Sequence, residues 1–159
     1  MKVHIFTDGA AKGNPGPGGF GIVLRSERGH HKEVARGYRL TTNNRMELLA
    51  VIVALEMLKG SQDDVTVFSD SRYVVDSVEQ GWLWNWQRKG FEKIKNADLW
   101  RRFIPAYKRH KVKFQWIKGH SGHKENERCD QMAVAAADLP VLLVDEEYEK
   151  LKDTGMFEE

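Results

Sequence analysis

Three strand-like runs follow one another before the chain offers its first helix, and that order restricts the fold more than any other feature. They are Val3-His4-Ile5-Phe6-Thr7, Phe20-Gly21-Ile22-Val23-Leu24-Arg25 and Val34-Ala35-Arg36-Gly37-Tyr38-Arg39-Leu40. A polar turn from Ser26 to His31 joins the last two as a hairpin. Consecutive strands without a crossover between them pair antiparallel, so the sheet begins with an antiparallel portion. Thr42 and Asn43 then offer cap side chains to a helix that carries Met46, Leu49, Ala50, Val53 and Met57 at helical spacing up to Gly60. Val65-Thr66-Val67-Phe68-Ser69 is reached through that helix, which makes it a parallel neighbour of an earlier strand, with the first as the expected partner. Further helices are expected from Ser71 to Gln80, from Asp98 toward Tyr107, and from Asn126 to Ala137. Pro105 signals a kink or an early end in the second of these. Val112 to Ile117 reads as a fifth strand. The class is α/β, with a mixed sheet.

The 159 residues fit one domain with enough length for a substantial core. A single cysteine, Cys129, cannot form an internal disulfide, and the first residues lack the basic and apolar regions of a signal peptide; both suit a cytoplasmic protein. No apolar run approaches the ~20 residues that cross a bilayer, so no membrane function is expected. Net charge is only +2, but it is unevenly placed. Between Trp82 and Lys118 stand eleven lysines and arginines against Glu92 and Asp98, and all five tryptophans lie in the same window. Acidic residues collect after Leu139: Asp145, Glu146, Glu147, Glu149, Asp153, Glu158 and Glu159 against Lys150 and Lys152.

Two aspartates end apolar strands, Asp8 in Phe6-Thr7-Asp8-Gly9 and Asp70 in Phe68-Ser69-Asp70, and strand ends are where open α/β sheets bind ligands. Glu47 shares a helix face with Ala50 and Ala54, and Asp130 shares one with Ala133 and Ala137. Taken singly, each has an ordinary use as a turn, cap, first-turn or solvated residue. Taken together they are inward-facing carboxylates, which are costly without partners and so call for cations. Hard oxygen donors without a thiolate pair suit Mg²⁺ or Mn²⁺ better than zinc. Two such ions ~3.5–4 Å apart serve phosphoryl chemistry by clamping the attacking and leaving oxygens.

Gly16-Pro17-Gly18-Gly19-Phe20-Gly21 matches G-x-G-x-x-G, but a strand-like run follows where a dinucleotide site needs a helix. It reads as a rigid turn with Asn14 at its mouth. His120-Ser121-Gly122-His123 with Cys129 makes a poor zinc site. His123 is expected to fix its loop by a hydrogen bond, while His120 stands where it could approach the carboxylates and transfer a proton. Trp116 alternates with Val112 and Phe114 and is expected in the core. Trp82, Trp84 and Trp86 crowd too closely beside Arg88 and Lys89 to be all interior, and point to a nucleic-acid groove in which cations hold phosphates and rings pack on sugars or bases.

Thr7-Asp8-Gly9, Gly13-Asn14-Pro15-Gly16-Pro17-Gly18-Gly19, Thr41-Thr42-Asn43-Asn44-Arg45-Met46-Glu47, Ser69-Asp70-Ser71, Gly119-His120-Ser121-Gly122-His123 and Asn126-Glu127-Arg128-Cys129-Asp130 occur in that order. Between residues 3 and 137 the chain resembles bacterial type 1 ribonuclease H. That resemblance implies a ribonuclease H-like fold, a five-stranded mixed sheet flanked by helices, and a monomeric endonuclease. The enzyme would cut the RNA strand of RNA·DNA hybrids and leave 3′-hydroxyl and 5′-phosphate ends. By motif match, Asp8, Glu47, Asp70 and Asp130 become ligands of two Mg²⁺, with Mn²⁺ as a substitute, and His120 assists proton transfer or product departure. Asn14, Thr42, Asn43 and Asn44 become hybrid contacts that sense the 2′-hydroxyl. Trp82, Trp86, Arg88 and Lys89 fall in a basic protrusion at about 81–96 that grips the DNA strand, with Trp100 beyond it. Residues 1–138 are then the catalytic domain and 139–159 an acidic tail. The protrusion is shorter than in the best-known members, and Arg72 stands where glutamine is frequent, which exchanges a base-edge contact for a phosphate contact. Alternatives are a noncatalytic hybrid-binding module and another nuclease of the same superfamily.

Overall fold

The computed structural model describes residues 1–119 and 121–152. Five strands, β1 (Lys2–Ala11), β2 (Gly16–Ser26), β3 (His31–Thr41), β4 (Asp64–Ser69) and β5 (Val112–Trp116), form one sheet in the order β3-β2-β1-β4-β5. β1–β2 and β2–β3 pair antiparallel, whereas β1–β4 and β4–β5 pair parallel, as the connections require. The helices are α1 (Asn43–Met57), α2 (Arg72–Glu79), α3 (Trp82–Arg88), α4 (Ala97–Lys108), α5 (Lys124–Ala137) and α6 (Glu146–Leu151).

Strand alternation divides the core between two faces. Val3 and Ile5 join the large cluster around α1, while Phe6 and Val23 join a small one with Cys129 and Met132 of α5. α1 is wedged between the sheet and α4, and every residue from Arg45 to Leu55 is buried. A helix covered on all sides shows little amphipathic contrast. α5 crosses β1, β2 and β3 on the other face. Gly19 and Gly37 are cross-strand partners there. A Cβ at Gly37 would overlap the Ala136 carbonyl oxygen, and one at Gly19 would lie 2.5 Å from that of Ala133, so the bare pair is what lets α5 press onto the sheet.

The strand lengths differ from the sequence reading. The glycines and prolines after Asp8 suggest a loop, yet β1 continues to Ala11, with Gly9 opposite Phe20 and Ala11 opposite Gly18. α4 does not stop at Pro105 but runs on to Lys108, with the proline exposed. Beyond residue 138 the chain docks: the Leu143 N–H donates to the Gly37 carbonyl and the Arg39 N–H to the Leu143 carbonyl, both at 2.9 Å. Arg39 then grips Glu149 of α6 with two bonds of 2.8 Å. Asp153, Glu158 and Glu159 lie outside the described residues.

Candidate metal centre

Parallel pairing of β1 with β4 ends at Phe6 opposite Phe68, whose rings stack with centroids 4.7 Å apart. Asp8 and Asp70 each follow two residues later, so the register that aligns the strands also aligns the two carboxylates. Asp8 is not at a strand end in its pairing with β2, where it sits opposite Gly21. α1 brings Glu47 to the same place from its first turns. One carboxylate oxygen each from Asp8, Glu47 and Asp70 lie within 4.8 Å of one another. The Gly9 N–H donates to Asp8 Oδ1 at 3.0 Å and to Glu47 Oε1 at 3.1 Å, which fixes both acids to one peptide. Asp130 of α5 lines the same open cleft, outside that trio.

Burial drives the electrostatics. The Asp8 carboxyl is pushed up to about 7, first by desolvation and then by repulsion from Asp70 and Asp130, against hydrogen bonding with Glu47 and Gly9. Glu47 is raised well above the usual carboxylate range, again chiefly by desolvation and then by Asp8. Glu47 Oε2 is buried with no hydrogen-bond partner among the described residues. An orphaned, buried carboxylate oxygen facing two further acids fits a divalent cation. Zinc chemistry is not supported: the buried Cys129 thiol, pushed up to about 12 by burial, donates to the Phe6 carbonyl at 3.2 Å.

Around this cluster the expected nucleic-acid residues separate. Asn14 is exposed and its Oδ1 accepts from the Asn43 N–H at 3.0 Å, while Asn43 Oδ1 accepts from the Ala11 N–H, so the two amides tie the β1–β2 end to the start of α1. Asn44 and Arg72 line the cleft. Thr42 is 1% exposed, and its hydroxyl accepts from the Arg45 N–H as the cap of α1. Trp100 is corrected. Its ring is wholly buried, edge-on to Phe103, and its indole N–H donates to the Tyr73 hydroxyl at 2.8 Å. Trp82, at 48% exposed, and the exposed Arg88 lie on α3, the exposed Lys89 caps its end, and Trp86 is half-buried against Trp100. Trp116, expected inside, is 37% exposed. The His123 ring packs on Phe6 and Phe68 at 5.7 and 6.4 Å; its Nδ1 lies 3.8 Å from Glu125 Oε2 and has no hydrogen-bond partner among the described residues. His120 lies outside the described residues.

Arg45 escapes the sequence reading. It is 1% exposed and bridges Asp98 of α4 to Asp145 of the docked tail. The signal for it is a cation at the head of the helical stretch Arg45 to Leu55, every residue of which is buried.

A family model described as RNase H matches residues 1–138. The chain belongs to the RNase H family. A ribonuclease H of Desulforamulus reducens is 52% identical over 149 residues, covering 91% of this chain and 92% of that one. Among solved structures, LC9-RNase H1, described as a type 1 RNase H with the type 2 active-site motif, is 30% identical. Its TM-score is 0.76, with 99% of this chain and 85% of that chain covered. LC11-RNase H1 in complex with an RNA/DNA hybrid is 28% identical with a TM-score of 0.61, covering 86% of this chain and 97% of that one. RNase H enzymes are metal-dependent nucleases, and this chain is a nuclease of that family. The family match stops at residue 138, whereas the docked segment of this RNase H chain continues to residue 152.

Proposed function

We propose that this chain hydrolyses the RNA strand of RNA·DNA hybrids at the Asp8–Glu47–Asp70 cluster and leaves 3′-hydroxyl and 5′-phosphate ends. The observation that carries the reading is the meeting of three carboxylates within 4.8 Å, one of them with an orphaned buried oxygen, in a cleft open to a large substrate. The hybrid bound to LC11-RNase H1 supports the choice of substrate.

Asp8, Glu47, Asp70 and Asp130 would hold two Mg²⁺, or Mn²⁺ in their place, which supply Lewis-acid stabilisation of the attacking and leaving oxygens. The Gly9 N–H holds the Asp8 and Glu47 carboxylates in one orientation before any substrate arrives. Asn14, Asn43 and Asn44 present amides to the hybrid backbone and minor groove, and Arg72 meets a phosphate. Trp82, Trp86, Arg88 and Lys89 hold the DNA strand, with the rings packing on sugars while the cations neutralise phosphates. His120 is assigned to assist proton transfer or product departure. The reading includes a cytoplasmic monomer; among the described residues no helix is long and apolar enough to cross a membrane.

Hybrid, double-stranded RNA and double-stranded DNA offered side by side with Mg²⁺ test the assignment. Cleavage confined to the RNA strand of the hybrid is the expected result. Equal cutting of the DNA duplex would overturn it, and binding without cutting would identify a noncatalytic module. Replacing Arg88 and Lys89 together flattens the salt dependence of hybrid binding, the log–log slope falling by ~0.9 for each phosphate no longer neutralised. An unchanged slope places those cations away from the backbone.

A further inference from the structure

Trp116 closes β5, in register with Ser69 and so beside the turn that carries Asp70. Val112, Phe114 and Trp116 share one side of the strand; Phe114 packs against the main core, but the larger ring of Trp116 stays 37% exposed. Its surface is not idle. The Arg72 guanidinium carbon sits 3.8 Å from the centroid of the indole, and the indole N–H donates to the Asp70 carbonyl at 3.1 Å. The acidic neighbour of Arg72 on its own helix, Asp76, is 4.0 Å away, and the Arg72 side chain is 63% exposed, so that pair holds the guanidinium only loosely.

A guanidinium lying on an aromatic face keeps all five N–H donors in its own plane, free of the ring and set in the fork that matches phosphate oxygens. Arg72 lines the cleft that holds Asp8, Glu47 and Asp70, a place that otherwise repels a polyanion. We infer that Trp116 is a positioning residue: it holds Arg72 flat as a clamp for a backbone phosphate of the strand in the cleft. This rests on the hybrid-nuclease reading above and extends it to a residue outside the carboxylate cluster. By bonding to the Asp70 carbonyl, one indole supports both the clamp and a cluster acid.

Steady-state cleavage of an RNA·DNA hybrid by the full chain, compared with Arg72→Leu, Trp116→Leu, Trp116→Phe and the Arg72→Leu/Trp116→Leu double variant, tests the inference. Arg72→Leu is expected to raise KM about five- to ten-fold with kcat within about two-fold, as removal of one phosphate-binding cation predicts. Trp116→Leu is expected to raise KM about three-fold, the scale of an exposed cation–π contact. Trp116→Phe keeps a ring under the guanidinium but loses the indole bond to Asp70, so its KM stays near the parent whatever happens to kcat, and the KM of the double variant matches that of Arg72→Leu alone. Multiplying KM effects in the double variant, or a Trp116→Phe variant whose KM rises as far as that of Trp116→Leu, would overturn the positioning role. An Arg72→Leu variant with unchanged KM would overturn the clamp itself. Failure of the parent to cut the hybrid is a separate outcome, which removes the underlying reading.

Discussion

Asp8→Asn abolishes hybrid cleavage and, in the absence of divalent ions, makes the protein more stable above neutral pH. The first effect is a loss on the order of 10³-fold or more, because a metal ligand contributes several kcal/mol of transition-state stabilisation. The second follows from proton linkage. Asp8 holds its proton to about 7 in the fold against 3.8 in the open chain, so the folded state binds the proton more tightly. The stability tied to that proton is fully present below pH 3.8 and is lost as pH rises toward 7. At ~1.4 kcal/mol per pH unit the ceiling is about 4 kcal/mol, shared with Glu47 since the two acids titrate together. Asparagine carries no charge and avoids the loss, whereas Mg²⁺ offsets it in the parent by neutralising the cluster. Thermal unfolding at pH 5 and pH 8, each with chelator and with Mg²⁺, checks both halves. A Tm gain from Mg²⁺ at pH 8 that disappears in Asp8→Asn is expected. Retained Mg²⁺-dependent cleavage by the variant would remove Asp8 from the ligand set.

Arg45→Leu costs about 3–5 kcal/mol of folding stability, which lowers Tm by roughly 10 °C for a chain of this size. Arg45 donates through Nε and Nη2 to Asp145 at 2.8 and 2.9 Å, and through Nη1 and Nη2 to Asp98 at 2.9 and 2.8 Å. Asp145 also accepts from the Thr41 hydroxyl at 2.7 Å. Leucine fills part of the volume but strands two carboxylates, Asp145 being only 8% exposed. Breaking such a network from one side is worse than removing it, so Arg45→Leu with Asp145→Leu recovers part of the loss. Urea unfolding of the two variants distinguishes the cases. Equal stability of Arg45→Leu and parent would mean that the network contributes nothing net.

The carboxylate cleft is legible in the sequence because its cause is periodic. Two parallel strands in register, each carrying an aspartate two residues past the paired Phe6 and Phe68, must present those aspartates side by side, and Glu47 follows from its helix face. The tryptophans are not legible in the same way. Trp116 and Trp100 exchange the places expected of them, since strand alternation fixes which side Trp116 takes but not whether anything covers it. The environment of Trp100 is set by Tyr73 and Phe103, one of them from another helix. Thr42 is a cap, as its place before the helix implies. α3 and α6, of 7 and 6 residues, are too short to show a periodic stripe, and they form because Leu83 and Tyr148 are buried on them.

The docked segment around Leu143 also has a bearing on what the molecule avoids. β3 is the outermost strand beside β2, and its free edge offers backbone groups to any passing extended chain. Leu143 occupies that edge at Gly37 and Arg39 with the protein's own backbone. A chain cut where the family match ends would keep its four cleft carboxylates but lose the strap over β3 and leave Arg45 without Asp145. The edge of the sheet is thus partly covered by a segment that lies outside the family match containing the cleft acids.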